Sequence, residues 1–137
     1  MKIKPGKYFI GDPCYAIPDE DWSDLLDHVD MFEDESKVHN FKGRTVWAAG
    51  TAYGDGVYNG DGYIEGKEYS HSFPVDAGLI GITELLPGES VEERLGLTIE
   101  IKNGIEIRYD EGDFFFDQLN IETSSSNEDY DPDFEEE

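Results

Sequence analysis

Two spacings of apolar residues organise this chain. Trp22, Leu25, Leu26 and Val29 recur at i, i+3, i+4 and i+7, the stripe that one face of an α-helix presents to a core. Pro18 suits helix entry, and Asp19, Glu20 and Asp21 crowd the first turn, where the helix dipole favours carboxylates. Asp24, Asp27 and Asp30 fall on the other face, so the predicted helix is acidic toward solvent. From Gly43 onward the period becomes two. Leu97, Ile99 and Ile101 alternate with polar residues, as do Ile105 and Ile107. The Asn103-Gly104 dipeptide between them predicts a hairpin over 97–109. Lys7–Ile10, Arg44–Thr51, Phe73–Ile82 (with a break at Gly78) and Asp113–Thr123 read as further strands. Asn59-Gly60-Asp61-Gly62 reads as a tight turn, with Tyr63–Glu65 starting the return strand. Pro87-Gly88 marks another turn, and Val91–Leu95 a short helical turn.

These elements predict an α+β fold: an antiparallel, strongly bent β-sheet with one N-terminal amphipathic helix and an acidic C-terminal tail. The expected organisation is one β-rich globular domain over residues 1–123 and a flexible tail over 124–137. A chain of 137 residues can bury a real core. Eight Phe, eight Tyr, two Trp and fifteen Gly favour a turn-rich sheet over a helical bundle.

Charge narrows the partners. The formal net charge is −23. Residues Tyr109–Glu137 hold twelve acids, and Asp19–Glu35 hold nine, with no Lys or Arg in either; the rest has twelve acids against ten bases. Such segments suit a host protein with a basic surface, or one that ordinarily holds a polyanion. They disfavour direct nucleic-acid binding and an anionic membrane. No run of eighteen apolar residues occurs, as a membrane span requires, and MKIKPGKYFI lacks the apolar core and cleavage site of a signal peptide. A single cysteine, Cys14, leaves no internal disulfide and fits a reducing cytoplasm.

The candidate chemistry is sparse. Cys14 neighbours Asp12, while His39 and His71 lie elsewhere. A nucleophilic thiolate needs a base or a positive field, and this chain's field is negative, so a small buried side chain is the default for Cys14. Asp12 and Asp76 stand at glycine-flanked strand breaks. Together they could bind a hard cation or share a proton, but aspartates at breaks more often bond the local backbone. Asp12, Cys14 and Asp76 are thus an alternative site for a small molecule or metal, with enzymatic use open. Over Val57–Glu68, Asn59, Asp61, Gly62 and Glu68 fall in calcium-loop register, but Val57 takes the first ligand's place and the flanks read as strand. Phosphate-binding loops, nucleophile elbows and zinc spacings are absent. No catalytic residue, cofactor or metal is assigned.

The tail Asn127–Glu137 mixes carboxylates with Tyr130 and Phe134. The partner-binding residues expected are Asp24, Asp27 and Asp30 on the helix, with Asp129, Tyr130, Asp131, Asp133 and Phe134 in the tail. Carboxylates would steer and aromatics would anchor.

Three segments appear in order: Ile10-Gly11-Asp12-Pro13-Cys14-Tyr15, Tyr53-Gly54-Asp55-Gly56-Val57-Tyr58 and Val75-Asp76-Ala77-Gly78-Leu79-Ile80-Gly81-Ile82. Together they resemble a family of small uncharacterised proteins of bacteriophages and bacteria, over residues 7–123. The resemblance implies a phage-borne or mobile-element accessory protein in the bacterial cytoplasm; the acidic tail lies outside the shared pattern. The expected function is non-catalytic: binding a host cytoplasmic protein to inhibit or redirect it, in its strongest form by nucleic-acid mimicry. The alternatives are the Asp12, Cys14, Asp76 ligand site and a virion or assembly component.

Overall fold

Alternation of apolar and polar residues along short strands gives each sheet one face to bury, and two such faces close on each other. A computed structural model describes residues 1–26 and 38–123. Among them the strands are β1 (Lys2–Ile3), β2 (Gly6–Gly11), β3 (His39–Phe41), β4 (Arg44–Gly50), β5 (Gly56–Ile64), β6 (Lys67–Val75), β7 (Leu79–Glu84), β8 (Gly96–Ile101), β9 (Ile105–Asp110), β10 (Asp113–Phe116) and β11 (Gln118–Glu122). Helix α1 spans Asp19–Leu26, and 3-10 turns occupy Pro13–Tyr15 and Glu93–Leu95. The strands form a six-stranded sheet, β1-β9-β10-β11-β5-β6, and a five-stranded sheet, β3-β4-β7-β2-β8. Every strand pairing is antiparallel.

The expected antiparallel sheet is present, but as two facing sheets and not one bent sheet. Their shared core contains Tyr8, Ile10, Trp47, Ile82 and Ile99 from the smaller sheet, and Phe73, Ile107, Phe114, Phe116 and Ile121 from the larger. Trp47 meets Phe114 and Phe116 edge-on, both at 5.9 Å between ring centres, a favoured aromatic geometry.

The correction has a local cause. Asn103-Gly104 does not close a hairpin: β8 pairs with β2, and β9 with β1 and β10. A type I′ turn needs positive φ at both central residues, and here only Gly104 has it, at 100°. The segment arches between the sheets, and the Glu65 carboxylate accepts the Lys102 and Asn103 backbone N–H groups, both at 2.8 Å. Those two donors hold the Glu65 carboxyl below its ordinary pKa.

Asn59-Gly60-Asp61-Gly62 is likewise no turn. It lies inside β5, and the reversal comes at Glu65-Gly66, with φ of 50° and 82°. Lys42-Gly43 and Glu111-Gly112 make matching two-residue hairpins. Phe73–Ile82 splits into β6 and β7 in different sheets, and Asp113–Thr123 folds back on itself as β10 and β11.

The smaller sheet is covered on its outer face as well. Phe9, which alternates with core residues Tyr8 and Ile10, packs with Ala16 and Leu85. Val46 packs with Ile17, Phe41 and Trp22, so Trp22 places α1 against this face. The predicted continuation of the helix to Val29 lies outside the described residues. Arg44 is buried here, its guanidinium donating to both Glu89 carboxylate oxygens at 2.7 and 2.8 Å. Among the described residues no helix is long and apolar enough to cross a membrane.

Candidate functional site

Proline cannot donate to a ladder, so β2 stops at Gly11 and the chain enters the Pro13–Tyr15 turn with Asp12 as its N-cap. Asp12 is fully buried. One carboxylate oxygen accepts the Cys14 N–H at 3.0 Å; the other accepts the N–H groups of Asp76 and Ala77 at 2.8 and 2.7 Å. Asp12 therefore fastens the β6–β7 connection to the end of β2. Asp76 in turn accepts the Tyr15 hydroxyl at 2.7 Å.

The structure thus brings Asp12, Cys14 and Asp76 together, as the glycine-flanked breaks suggested. It adds Tyr15 and Asp55, which sequence reasoning passed over. Tyr15 adjoins Cys14 in the same short turn, a signal within reach; Asp55 comes close only through tertiary folding. Burial raises the Cys14 pKa most, followed by Asp12 through its charge and hydrogen bond, then by the charges of Asp76 and Asp55. Burial and then the Asp76 hydrogen bond raise that of Tyr15. At neutral pH the thiol is protonated, and the Asp12 carboxylate is committed to three backbone donors. Among the described residues no group of three or more His, Cys, Asp or Glu side chains is placed to hold a metal ion. Native Cys14 is accordingly expected to react with iodoacetamide at pH 8 at least ~10-fold more slowly than the unfolded chain. Mass-spectrometric alkylation rates with and without urea check this, and equal rates would contradict it.

A second arrangement emerges from how the strand ends meet. The register places residues 11–15, 50–56, 75–79, 110–113 and 122–123 at one end of the sandwich. Tyr109 reinforces this by donating to the Gly50 carbonyl at 2.7 Å, and Thr123 by accepting the Ala52 N–H at 3.0 Å. Those segments carry Asp12, Asp55, Asp76, Asp110, Glu111, Asp113 and Glu122; Gly96, opposite Gly11, brings Glu92, Glu93 and Arg94 to the same end, with Arg94 paired to Glu92. Among the described residues Asp55, Asp110, Glu111 and Glu122 are held by no ion pair, and all four are exposed. Asp110, Asp113 and Glu122 are successive cross-strand neighbours, a repulsive row. Tyr53 (47 % exposed) and Val57 (65 %) stand beside these acids.

The opposite end holds Lys2, Lys4, Lys7, Lys42, Arg44, Lys67 and Lys102, seven of the ten bases. That end also carries Glu65, Glu68, Glu84, Glu89, Glu100, Glu106 and Asp117; of these Glu84 accepts the Thr45 N–H, Glu89 meets Arg44, Glu106 the N-terminal ammonium and Asp117 the Glu65 N–H.

Of the expected partner-binding residues, Asp24 lies on α1, exposed, with Lys42 donating to its carboxylate and to that of Asp21. Asp27, Asp30, Asp129, Tyr130, Asp131, Asp133 and Phe134 lie outside the described residues. The acidic end was missed because it depends on which strand ends meet. No protein-family model, no curated protein and no solved structure matches this chain.

Proposed function

We propose that this protein is a non-catalytic binding module that docks its acidic end on a basic surface of a host cytoplasmic protein. The observation that carries this reading is the distribution of charge: among the described residues one end carries an excess of acids, its one cation Arg94 already paired with Glu92, while at the other end seven bases stand among seven acids. Charge so distributed orients an approaching partner and speeds encounter. Tyr53 and Val57, on either side of Asp55, supply exposed apolar surface of the kind a contact needs. The row Asp110–Asp113–Glu122 presents negative charge at the ~4.8 Å strand spacing, a line of anions suited to a groove that otherwise takes phosphates. The sequence beyond Thr123 carries seven further acids, and Thr123 itself lies at this end. Nucleic-acid mimicry is therefore the form of inhibition we favour.

The test is capture from bacterial lysate with the full chain, an Asp110→Asn/Glu111→Gln/Glu122→Gln variant and Tyr53→Ala. The expected partner is retained at low salt, displaced by duplex DNA and bound at least ~10-fold more weakly by the triple variant. A partner retained equally by all three proteins would overturn the reading.

A further inference from the structure

The outer face of the six-stranded sheet carries a groove that the acidic end does not explain. Two shallow hollows lie side by side on it. One, of about 130 Å³, is lined by Asn59, Gly60, Asp61, Ser70, Asn120 and Glu122. The other, of about 410 Å³, shares Asn59 and Ser70 and is completed by His71, Ser72 and Arg94; this volume falls in the ~300–1,000 Å³ range of small-ligand sites. The register sets Asn120, Asp61 and Ser70 in one rung across β11, β5 and β6, with Asn59 opposite Ser72 in the next. Hydrogen-bonding groups thus stand at the ~4.8 Å strand spacing.

Several are oriented and open. Ser72 donates to the Asn59 carbonyl oxygen at 2.8 Å, which leaves the Asn59 amide protons facing outward. Asn120 donates to the Phe114 carbonyl at 3.1 Å, which leaves its own oxygen to accept. Among the described residues the side chains of Asp61, Ser70 and Glu122 make no hydrogen bond or ion pair. Tyr63, 46 % exposed, follows Asp61 on the same face of β5.

The chemistry selects a ligand class. Asp61 and Glu122 repel phosphates; among the described residues Arg94 is the cation at the rim and is paired with Glu92 at 3.1 Å, and no third His, Cys, Asp or Glu joins the two carboxylates to hold a metal ion. The polar lining gives an apolar molecule nothing to displace water from. What remains is a neutral molecule with closely spaced hydroxyls, each able to donate and accept, and with C–H faces that rest on an aromatic ring. We infer that this groove binds a carbohydrate: Asp61 and Asn120 engage adjacent hydroxyls of one pyranose, Tyr63 underlies its C–H face, and Asn59 and Ser70 reach the next sugar. The site shares Glu122 with the acidic end but rests on Asn59, Asp61, Ser70 and Asn120, so it stands or falls without the docking.

The test is a ¹H–¹⁵N NMR titration of the full chain with D-glucose, D-galactose, D-mannose and N-acetyl-D-glucosamine, and with tetrasaccharides of each, to about 50 mM, where even a weak site of ~10 mM fills. The expected result is saturable shifts of the Asn59 and Asn120 side-chain amides and the Ser70 backbone amide with at least one sugar. Asp61→Ala and Asn120→Ala should each weaken that binding by ~10-fold, the loss of about one hydrogen bond. Asp61 is exposed and Asn120 half-buried, and an otherwise unchanged amide spectrum shows that each variant is folded. Shifts with none of these sugars, shifts that persist equally in both variants, or shifts of these amides with calcium chloride and not with sugar would overturn the assignment.

Discussion

Replacing Asp12 by alanine is expected to lower the free energy of unfolding by about 4–6 kcal/mol, because three backbone N–H groups lose a charged acceptor, each such bond being worth ~1.5–3 kcal/mol. The Cys14, Asp76 and Ala77 amides all converge on this one carboxylate, and its full burial keeps water from taking its place. The loss spreads beyond the turn, since Asp12 is what fastens the β6–β7 connection to β2 and so helps to hold the sheets in register. Asp12→Asn keeps one acceptor oxygen but presents an amide to the remaining N–H donors, so it recovers only part of the loss. Urea unfolding followed by the fluorescence of buried Trp47 measures both variants. A loss below about 1 kcal/mol for Asp12→Ala would mean that the three bonds do not form together.

Gly62→Ala carries the second large effect. A methyl at this position would lie 2.0 Å from the Gln118 carbonyl oxygen and 2.8 Å from the Leu119 Cα, and the residue sits at φ +139°. Both obstacles are backbone, so β5 and β11 must separate; the expected cost is about 3–5 kcal/mol. Gly66→Ala is the informative comparison. That residue also has positive φ, at 82°, but no atom lies within 4 Å of the added methyl, so only the conformational penalty of ~1 kcal/mol remains. Thermal unfolding should separate the two clearly, at ~3–5 °C per kcal/mol for a chain of this size. If Gly66→Ala is the worse of the pair, the turn lies where Asn59–Gly62 first suggested and not at Glu65-Gly66.

That contrast shows where the sequence is legible. Period-two alternation marks β8 and β9 correctly as strands, but it says nothing of which strand each will pair with. Asn103-Gly104 is a strong local turn signal, and a distant carboxylate, that of Glu65, takes its backbone donors instead. Glu65-Gly66 is a weaker signal that prevails because Gly60 and Gly62 are needed inside β5, where β11 approaches too closely for a side chain. Local propensity yields to packing at both places. The Asp12 cluster was partly readable, since glycine-flanked aspartates announce that a strand is being interrupted and fastened. What Asp12 fastens to was not, because Asp76 is distant in sequence. The acidic end was unreadable for the same reason: Asp55, Asp110 and Glu122 become neighbours only once two sheets are stacked. Of the two acidic segments, twelve of 21 acids lie outside the described residues; Asp110, Glu111, Asp113 and Glu122 of the second segment form part of the acidic end, and Asp24 of the first is met by Lys42.

These features bear on function together. Burial and the neighbouring carboxylates keep the Cys14 thiol protonated, and the Asp12 carboxylate accepts three backbone N–H groups. The surface they help to shape carries the uncompensated charge. If the proposed docking holds, an excess of acids at one end would orient a basic partner, and the exposed Tyr53 would contribute to how long it stays.

The most direct test of this account is the affinity of the captured, purified partner for the wild-type chain and for Asp110→Asn/Glu111→Gln/Glu122→Gln, measured by calorimetry at about 50 and 200 mM salt, a range over which screening of surface charge changes markedly. The account predicts that wild-type binding weakens at least ~10-fold with added salt and that the triple variant binds more weakly with a shallower salt dependence. Equal affinity of the two proteins at both salt concentrations would contradict it.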